Sequence, residues 1–329
     1  MSLERQRGIA LLVAITMFAL TTTVAAAITY NKAMAARRAA ATFTLEQALQ
    51  AGMAAEAMAG LVLEDSGGAG PGGGGQQQTG RQTTLDEEWA QPLGPVEIPD
   101  TGIWIAARLE DISGRFNLNS LIKWDATTNS YQPDFHQVKA FKQLLQSLDL
   151  EERWAELVVD WIDPDNTPMG PEGGEDTLYL SQVPPYRPPN TFITSTSELL
   201  ALPNFGAERF LKVAPHVIAL PQSARMNICT ATGAALDAMR ADGQSEFAGQ
   251  DLGKLREKGC FPMTPGYTSP IADPTTKGLV EQRIQEHSDW FRLRTDIRIG
   301  TAEFVLYSVL YRGEPGAKVR TVQRSFSSE

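Results

Sequence analysis

From Ile9 to Asn31 the chain is apolar or small and uncharged, and the first charged side chain after that run is Lys32. A helix crosses a bilayer in roughly 20 such residues, so residues 9–30 are long enough for one transmembrane segment. No Gly or Pro interrupts the pattern before Gly52. Leu45, Leu49, Gly52, Gly60 and Leu63 share one helical face, with Glu56 interrupting the stripe. Residues 31–65 are therefore expected to continue the same helix, half-buried against a sheet. Residues 66–83 are mostly Gly and Gln, too polar and flexible to build a core, and read as a linker.

The period then changes to two. Ile103, Ile105, Ala107 and Leu109 alternate with Trp104, Ala106, Arg108 and Glu110, which predicts a strand with one apolar face. From 120 to 221 the spacing is helical. Pro133 stands at a helix start before Phe135, Val138, Phe141, Leu145 and Leu148; a second helix carries Trp154, Leu157, Val158, Trp161 and Ile162. Ser195-Thr196-Ser197-Glu198 is a capping-box pattern ahead of Leu199. Alternation returns in Phe291, Leu293, Thr295, Ile297 and Ile299, and Gly300-Thr301 turns the chain into Phe304–Tyr311 as a hairpin. The fold class is α+β. Residues 84–119 and 222–329 form a β region, and 120–221 are an all-helical domain inserted into it.

Ahead of the span stands Arg5-Gln6-Arg7-Gly8, its arginines on the side expected to stay cytoplasmic. A basic leader, 1–8, ending in glycine before one uninterrupted helix resembles the type IV prepilin class. That resemblance implies cleavage between Gly8 and Ile9 by a prepilin peptidase and methylation of the Ile9 amine. The fifth residue of the processed chain is Val13, where most members carry a glutamate that faces the amine of a neighbouring subunit. The missing-glutamate position, together with the run Asp111-Ile112-Ser113-Gly114-Arg115-Phe116-Asn117-Leu118-Asn119, resembles the protein K family of type II secretion, minor pseudopilins at the filament tip. An ordinary signal peptide cleaved near Ala25-Ala26-Ala27 and a plain unprocessed anchor are the competing readings of the N-terminus.

Asp160-Trp161-Ile162-Asp163-Pro164-Asp165-Asn166 and Gly174-Glu175-Asp176 hold the densest candidate chemistry. Carboxylates converging without a basic residue need protons or a cation, and calcium accepts the many oxygens of an irregular loop. The spacing is not that of an EF-hand. It resembles the calcium-binding segment of the protein K family, which implies a structural ion held by Asp163, Asp165, Glu175 and Asp176, with Asn166 or carbonyls as lesser ligands. Asp160 lies on the helix and reads as solvated. Turn carboxylates without any metal are the alternative.

The formal charge is −10, and removal of the leader would make it one unit more negative, which argues against nucleic acid as a partner. The two cysteines, Cys229 and Cys260, exclude a four-cysteine zinc cage; in an oxidising compartment they would form a disulfide, and two buried thiols are the other possibility. Asp100-Thr101-Gly102 is half of an aspartic-protease site without its second lobe, and His136, His216 and His287 are dispersed, so no catalytic site is expected. Leu199–Gly206 and Ile228–Ala231 resemble helix-hairpin-helix segments, which keeps a membrane-anchored DNA-uptake pilin component as the alternative function. The protein K resemblance implies instead a non-catalytic, single-pass inner-membrane protein with its C-terminal domain in the periplasm. Such a protein would form and cap the pseudopilus tip with pseudopilins I and J. Pseudopilins H and G, the inner-membrane secretion platform and secreted proteins are further partners that the resemblance implies.

Overall fold

One helix, α1, runs from Arg7 to Glu64. The computed structural model describes residues 7–66, 82–257, 259–314 and 316–326; most of the leader and most of the expected Gly/Gln linker lie outside them. The apolar N-terminal stretch of α1 is exposed throughout, with 0% of its most apolar window buried against the other described residues. Its threonines, Thr16, Thr21, Thr22, Thr23 and Thr29, donate their hydroxyls to carbonyls three or four residues back, so these donors are satisfied within the helix.

The face of α1 that meets the sheet is built from small residues. Gly52, Gly60 and Leu63 of the expected stripe are buried and Leu49 is half-buried, but Leu45 is exposed, and Ala48, Ala51, Ala55 and Ala59 supply the rest of the contact face. A side chain at Gly52 would collide with Leu306, which shows how closely the helix axis lies on the strands. Glu56 does not interrupt this stripe. It is buried, accepts from Ser308 Oγ at 2.6 Å and Thr321 Oγ1 at 3.0 Å, and pairs with Arg324 at 2.6 Å.

Five antiparallel strands lie under the helix: β1 (Leu93–Ile98), β2 (Ile103–Asp111), β3 (Trp290–Ile299), β4 (Ala302–Tyr311) and β5 (Arg320–Ser325). They are hydrogen-bonded in chain order, with Ile103 opposite Ile299 and Asp111 opposite Phe291. Alternation works as predicted, burying Ile103, Ala107 and Leu109 on β2 and Phe291, Leu293, Thr295 and Ile297 on β3. Ala48 and Ala51 pack on Ile103, Ile297 and Leu306; Ala59 and Leu63 pack on Leu109, Phe291, Leu293 and Leu310. The helix therefore travels along the sheet toward the end where β2 stops and β3 starts.

The insert leaves and returns at that end, the one farthest from the apolar stretch. Its helices are α2 (Phe135–Ser147), α3 (Arg153–Ile162), α4 (Asp176–Leu180), α5 (Gly206–Val213), α6 (Gly233–Arg240), α7 (Leu252–Leu255), α8 (Thr264–Thr268) and α9 (Pro274–Arg283). One apolar core joins residues from Phe116 to Ile284. The expected boundary at 221 thus falls inside a single helical layer, because α6 to α9 complete the core begun by α2 and α3, and the sheet resumes only at Trp290. Asp134, not Pro133, caps α2, its carboxylate accepting from His136 N at 3.2 Å, and Phe135 is turned out to solvent.

The Glu56 clamp yields a prediction. Burial would raise its pKa, yet hydrogen bonds from Arg324, Ser308 and Thr321 outweigh it and hold the carboxyl below its ordinary value of 4.5. Its stabilising contribution is therefore full above that value and is lost as pH falls through the lower folded one. Arg324→Ala is expected to cost about 2 kcal/mol at pH 7, less than a fully buried pair because the guanidinium is partly exposed. Thermal melts of both proteins from pH 7 to 3 should converge as Glu56 is protonated; parallel curves would show that the pair does not hold β5.

Candidate functional site

The acidic cluster forms where α3 ends. From Leu157 to Ile162 every residue is buried, and Asp160 is the one acid within that run, with 0% exposure. Asp163 takes the C-cap position, its N–H still bonded to Val159 O at 2.9 Å, and Pro164 ends the helix. The loop then returns through Gly173 and Gly174 to Glu175, the residue before α4.

Asp160 organises this return. Its carboxylate accepts from Met169 N at 2.8 Å and Gly174 N at 2.7 Å, and a Cβ on Gly173 would run into its Oδ2. The loop closure brings one ligand oxygen each of Asp160, Asp163 and Glu175 within 4.8 Å of one another. Asp163 Oδ1 and both oxygens of Glu175 are buried without a hydrogen-bond partner, as is the hydroxyl of Tyr179. Orphaned buried carboxylate oxygens on this scale are costly unless something else satisfies them.

The protonation behaviour follows. Burial first, then the charge of Asp165, Asp160 and Glu175, pushes Asp163 up to about 8. Burial and the charges of Asp160, Asp165 and Asp176 push Glu175 up to about 7. Asp160 is raised by burial to about 6, its two backbone hydrogen bonds opposing the rise. A hard divalent cation would replace the protons and supply the missing partner for each orphaned oxygen. With no His or Cys among the three residues, the oxygen donors suit calcium over zinc, and an irregular loop suits its flexible coordination better than the strict octahedron that magnesium demands.

Two of the four expected ligands, Asp163 and Glu175, enter this triad. Asp165 is exposed and spends its Oδ1 on Thr167 N at 2.8 Å, acting on the cluster only through its charge. Asp176 is drawn to Arg187 at 2.9 Å. Asp160, read from sequence as solvated, is instead fully buried at the centre. The signal for it was present: an acid set within the otherwise apolar run Leu157-Val158-Val159-Asp160-Trp161-Ile162 faces a core whichever way the helix turns.

Elsewhere, Gly8 and Ile9 lie in the first turn of α1, Val13 is exposed on it, and Cys229 is joined to Cys260 in a disulfide with Cα atoms 4.6 Å apart. In the second segment that resembles a helix-hairpin-helix turn, four backbone N–H groups are bonded within the fold. The N–H groups of Asn227, Ile228, Cys229 and Ala231 donate to Ser113 O, Gln285 O, Asn227 Oδ1 and Asn227 O. Arg209 is held by Glu151 at 3.0 Å.

Comparison with known proteins agrees with this architecture. A family model described as Type II secretion system (T2SS), protein K, matches residues 114–222. The chain is 31% identical to the type II secretion system protein K of Pseudomonas aeruginosa, over 97% of this chain and 92% of the relative. The chain belongs to the type II secretion system protein K family. The protein K of Pectobacterium carotovorum is 28% identical over 98% of this chain and 97% of its own. The fold matches a chain in the crystal structure of the GspK-GspI-GspJ complex from enterotoxigenic Escherichia coli, with a TM-score of 0.72 at 23% identity, covering 89% of this chain and 100% of that one.

For this protein K family member the acidic triad gives a sign to pH dependence in the absence of metal. Asp160, Asp163 and Glu175 bind protons more tightly folded than unfolded, so stability falls as pH rises through about 6 to about 8. Melts in excess chelator should show this decline, and Asp163→Asn should flatten its upper part. A chelated wild type whose melting temperature is level from pH 5.5 to 8.5 would contradict the burial of these groups.

Proposed function

We propose that the protein is a minor pseudopilin that initiates and caps the type II pseudopilus with pseudopilins I and J, without catalysing a reaction. The observation that carries this reading is the placement of the insert. Helix α1 stands clear of the body for roughly 60 Å from Ile9 to Ala48, at ~1.5 Å per residue, and the helical layer sits at the opposite end of the sheet. A subunit added below can lay its own helix against that free length. One added above would meet the insert.

In this reading the apolar part of α1 spans the inner membrane and the body lies in the periplasm. Prepilin peptidase cleaves between Gly8 and Ile9, and the new amine is methylated. Val13 fits the end position: a glutamate there would be a lone buried charge in a subunit with no neighbour above to pair it. Pseudopilins H and G, the inner-membrane platform and the exported proteins complete the set of partners. A DNA-uptake role is not favoured, because four backbone donors of the second such segment are bonded within the fold and Arg209 beside the first is paired with Glu151.

Calcium is the structural ion of this reading, held by Asp163 and Glu175 with Asp160. Asp165 and Asp176 at the rim add negative charge. The ion would fasten the loop between α3 and α4, whose residues from Pro164 to Pro168 are all exposed and have no apolar anchor of their own.

Two experiments test this. Intact-mass analysis of membrane-extracted protein should show a chain starting at Ile9 with one added methyl group, reverting to the full leader in cells without prepilin peptidase; a start near Ile28 would remove the pseudopilin assignment. Calcium should raise the melting point of wild type, a stabilisation of about 2.7 kcal/mol at a hundredfold excess over Kd. Asp163→Asn and Glu175→Gln should abolish the shift, and Asp165→Ala should weaken it. Equal shifts in all four proteins would place the ion elsewhere.

A further inference from the structure

The segment from Asp251 to Met263 crosses the base of the insert with little apolar anchorage. Lys254, Leu255 and Met263 are exposed, while Leu252 and Phe261 are only half-buried. Among its described residues the one deeply buried long side chain is that of Arg256, 6% exposed. That guanidinium has found carbonyls, not a carboxylate. Nε donates to Phe261 O at 2.7 Å and Nη2 donates to Ile228 O at 2.9 Å.

The positions of those two carbonyls matter. Phe261 follows Cys260, and Ile228 precedes Cys229, so one planar fork spans the same two backbone segments that the disulfide spans. Placing a guanidinium there is costly, and burial holds the Arg256 pKa down to about 10. An unbranched apolar side chain such as methionine would fill most of the space without that cost. What it would lack is the ability to fix two carbonyls at a set distance from each other.

We propose that Arg256 is a positioning residue for the Cys229–Cys260 disulfide, docking the 251–263 segment on Ile228 so that the two thiols are already apposed in the reduced chain. Oxidation then needs no search through an open loop of 31 residues. In the closing step, two thiols give up two protons and two electrons to a small-molecule disulfide, which departs as two thiols. The gain is an effective concentration of one cysteine at the other, set by the fork and independent of the sulfur chemistry. The same fork keeps the segment in place when the disulfide is reduced.

The test is the equilibrium of the full-length protein in detergent with reduced and oxidised glutathione, read as the fraction of Cys229 and Cys260 blocked by a thiol-alkylating reagent. Arg256→Met is expected to lower the effective concentration at least tenfold, which is ~30 mV for this two-electron couple. Arg256→Lys keeps the charge but cannot span both carbonyls with one planar group, and should fall nearly as far. Far-UV circular dichroism of each variant checks that the fold survives; if Arg256→Met does not fold, Arg256→Lys decides. A folded variant whose glutathione equilibrium matches wild type would overturn the proposal.

Discussion

Everything distal in this molecule depends on one buried carboxylate. Asp111 ends β2, and its oxygens accept from Ser113 N at 2.8 Å, Ser288 Oγ at 2.5 Å, Asn227 Nδ2 at 3.2 Å and the hydroxyl of Thr230. Those partners come from the exit of the insert, its middle and its return. Burial pushes the Asp111 pKa up while the four hydrogen bonds oppose it, so the group is held as an acceptor by donors rather than by a cation. Arg312 then ties this junction to the helix, donating to Ser288 O at 2.8 Å, Thr83 Oγ1 at 2.5 Å and Leu63 O at 3.4 Å. A helix, a sheet and an inserted layer are thereby fixed to one another through a handful of polar contacts whose geometry leaves little slack.

A second pair of asparagines does the same work inside the insert. Asn117 Nδ2 donates to Pro221 O at 2.9 Å, and its Oδ1 accepts from Leu220 N at 3.1 Å; Asn119 pairs in the same way with Ile193, donating to its carbonyl and accepting from its N–H. Each side-chain amide mimics a strand edge, pairing with backbone that no regular element would otherwise satisfy. This explains why the polar residues of the 111–119 run alternate with apolar ones. The apolar members face the core of the insert while the polar ones stitch distant loops to its base.

The three central strands and the long helices were legible because their burial is one-sided, so alternation and helical spacing write themselves into the chain; the edge strands β1 and β5, mostly exposed, left no such pattern. The contact face of α1 was not. A helix that must lie close on a sheet uses alanine and glycine, and those residues carry almost no hydropathy signal; the eye goes to Leu45, which is exposed, and passes over Ala48, Ala51 and Ala55. Glu56 misled for a related reason, since an acid in an apolar stripe reads as an interruption unless its partners, 252 and 268 residues away at Ser308 and Arg324, are known. The extent of the insert was hidden likewise, because α7 and α8 are too short to show a period. At the acidic site, residue type located the loop, and only the closure of the chain through Met169 and Gly174 chose which carboxylates meet.

The insert carries an acidic triad, a disulfide and a buried arginine for a common physical reason. Its helices share one core, but the loops between α3 and α4 and between α6 and α8 are rich in proline, glycine and charge, and hydrophobic burial alone cannot order them. Polar cross-links can, provided each buried group is satisfied. Asp160 does this with backbone N–H groups and Arg256 with backbone carbonyls, so each organises a loop through the hydrogen bonds it makes. Asp163 and Glu175 are the exception, because after the loop closes their oxygens still face one another unpaired. Trp89, His136, Asn190 and Thr295 each leave one buried polar atom without a partner, but among the described residues the orphaned carboxylate oxygens gather in this one cluster, and that convergence of like charge is what the proposed cation would answer.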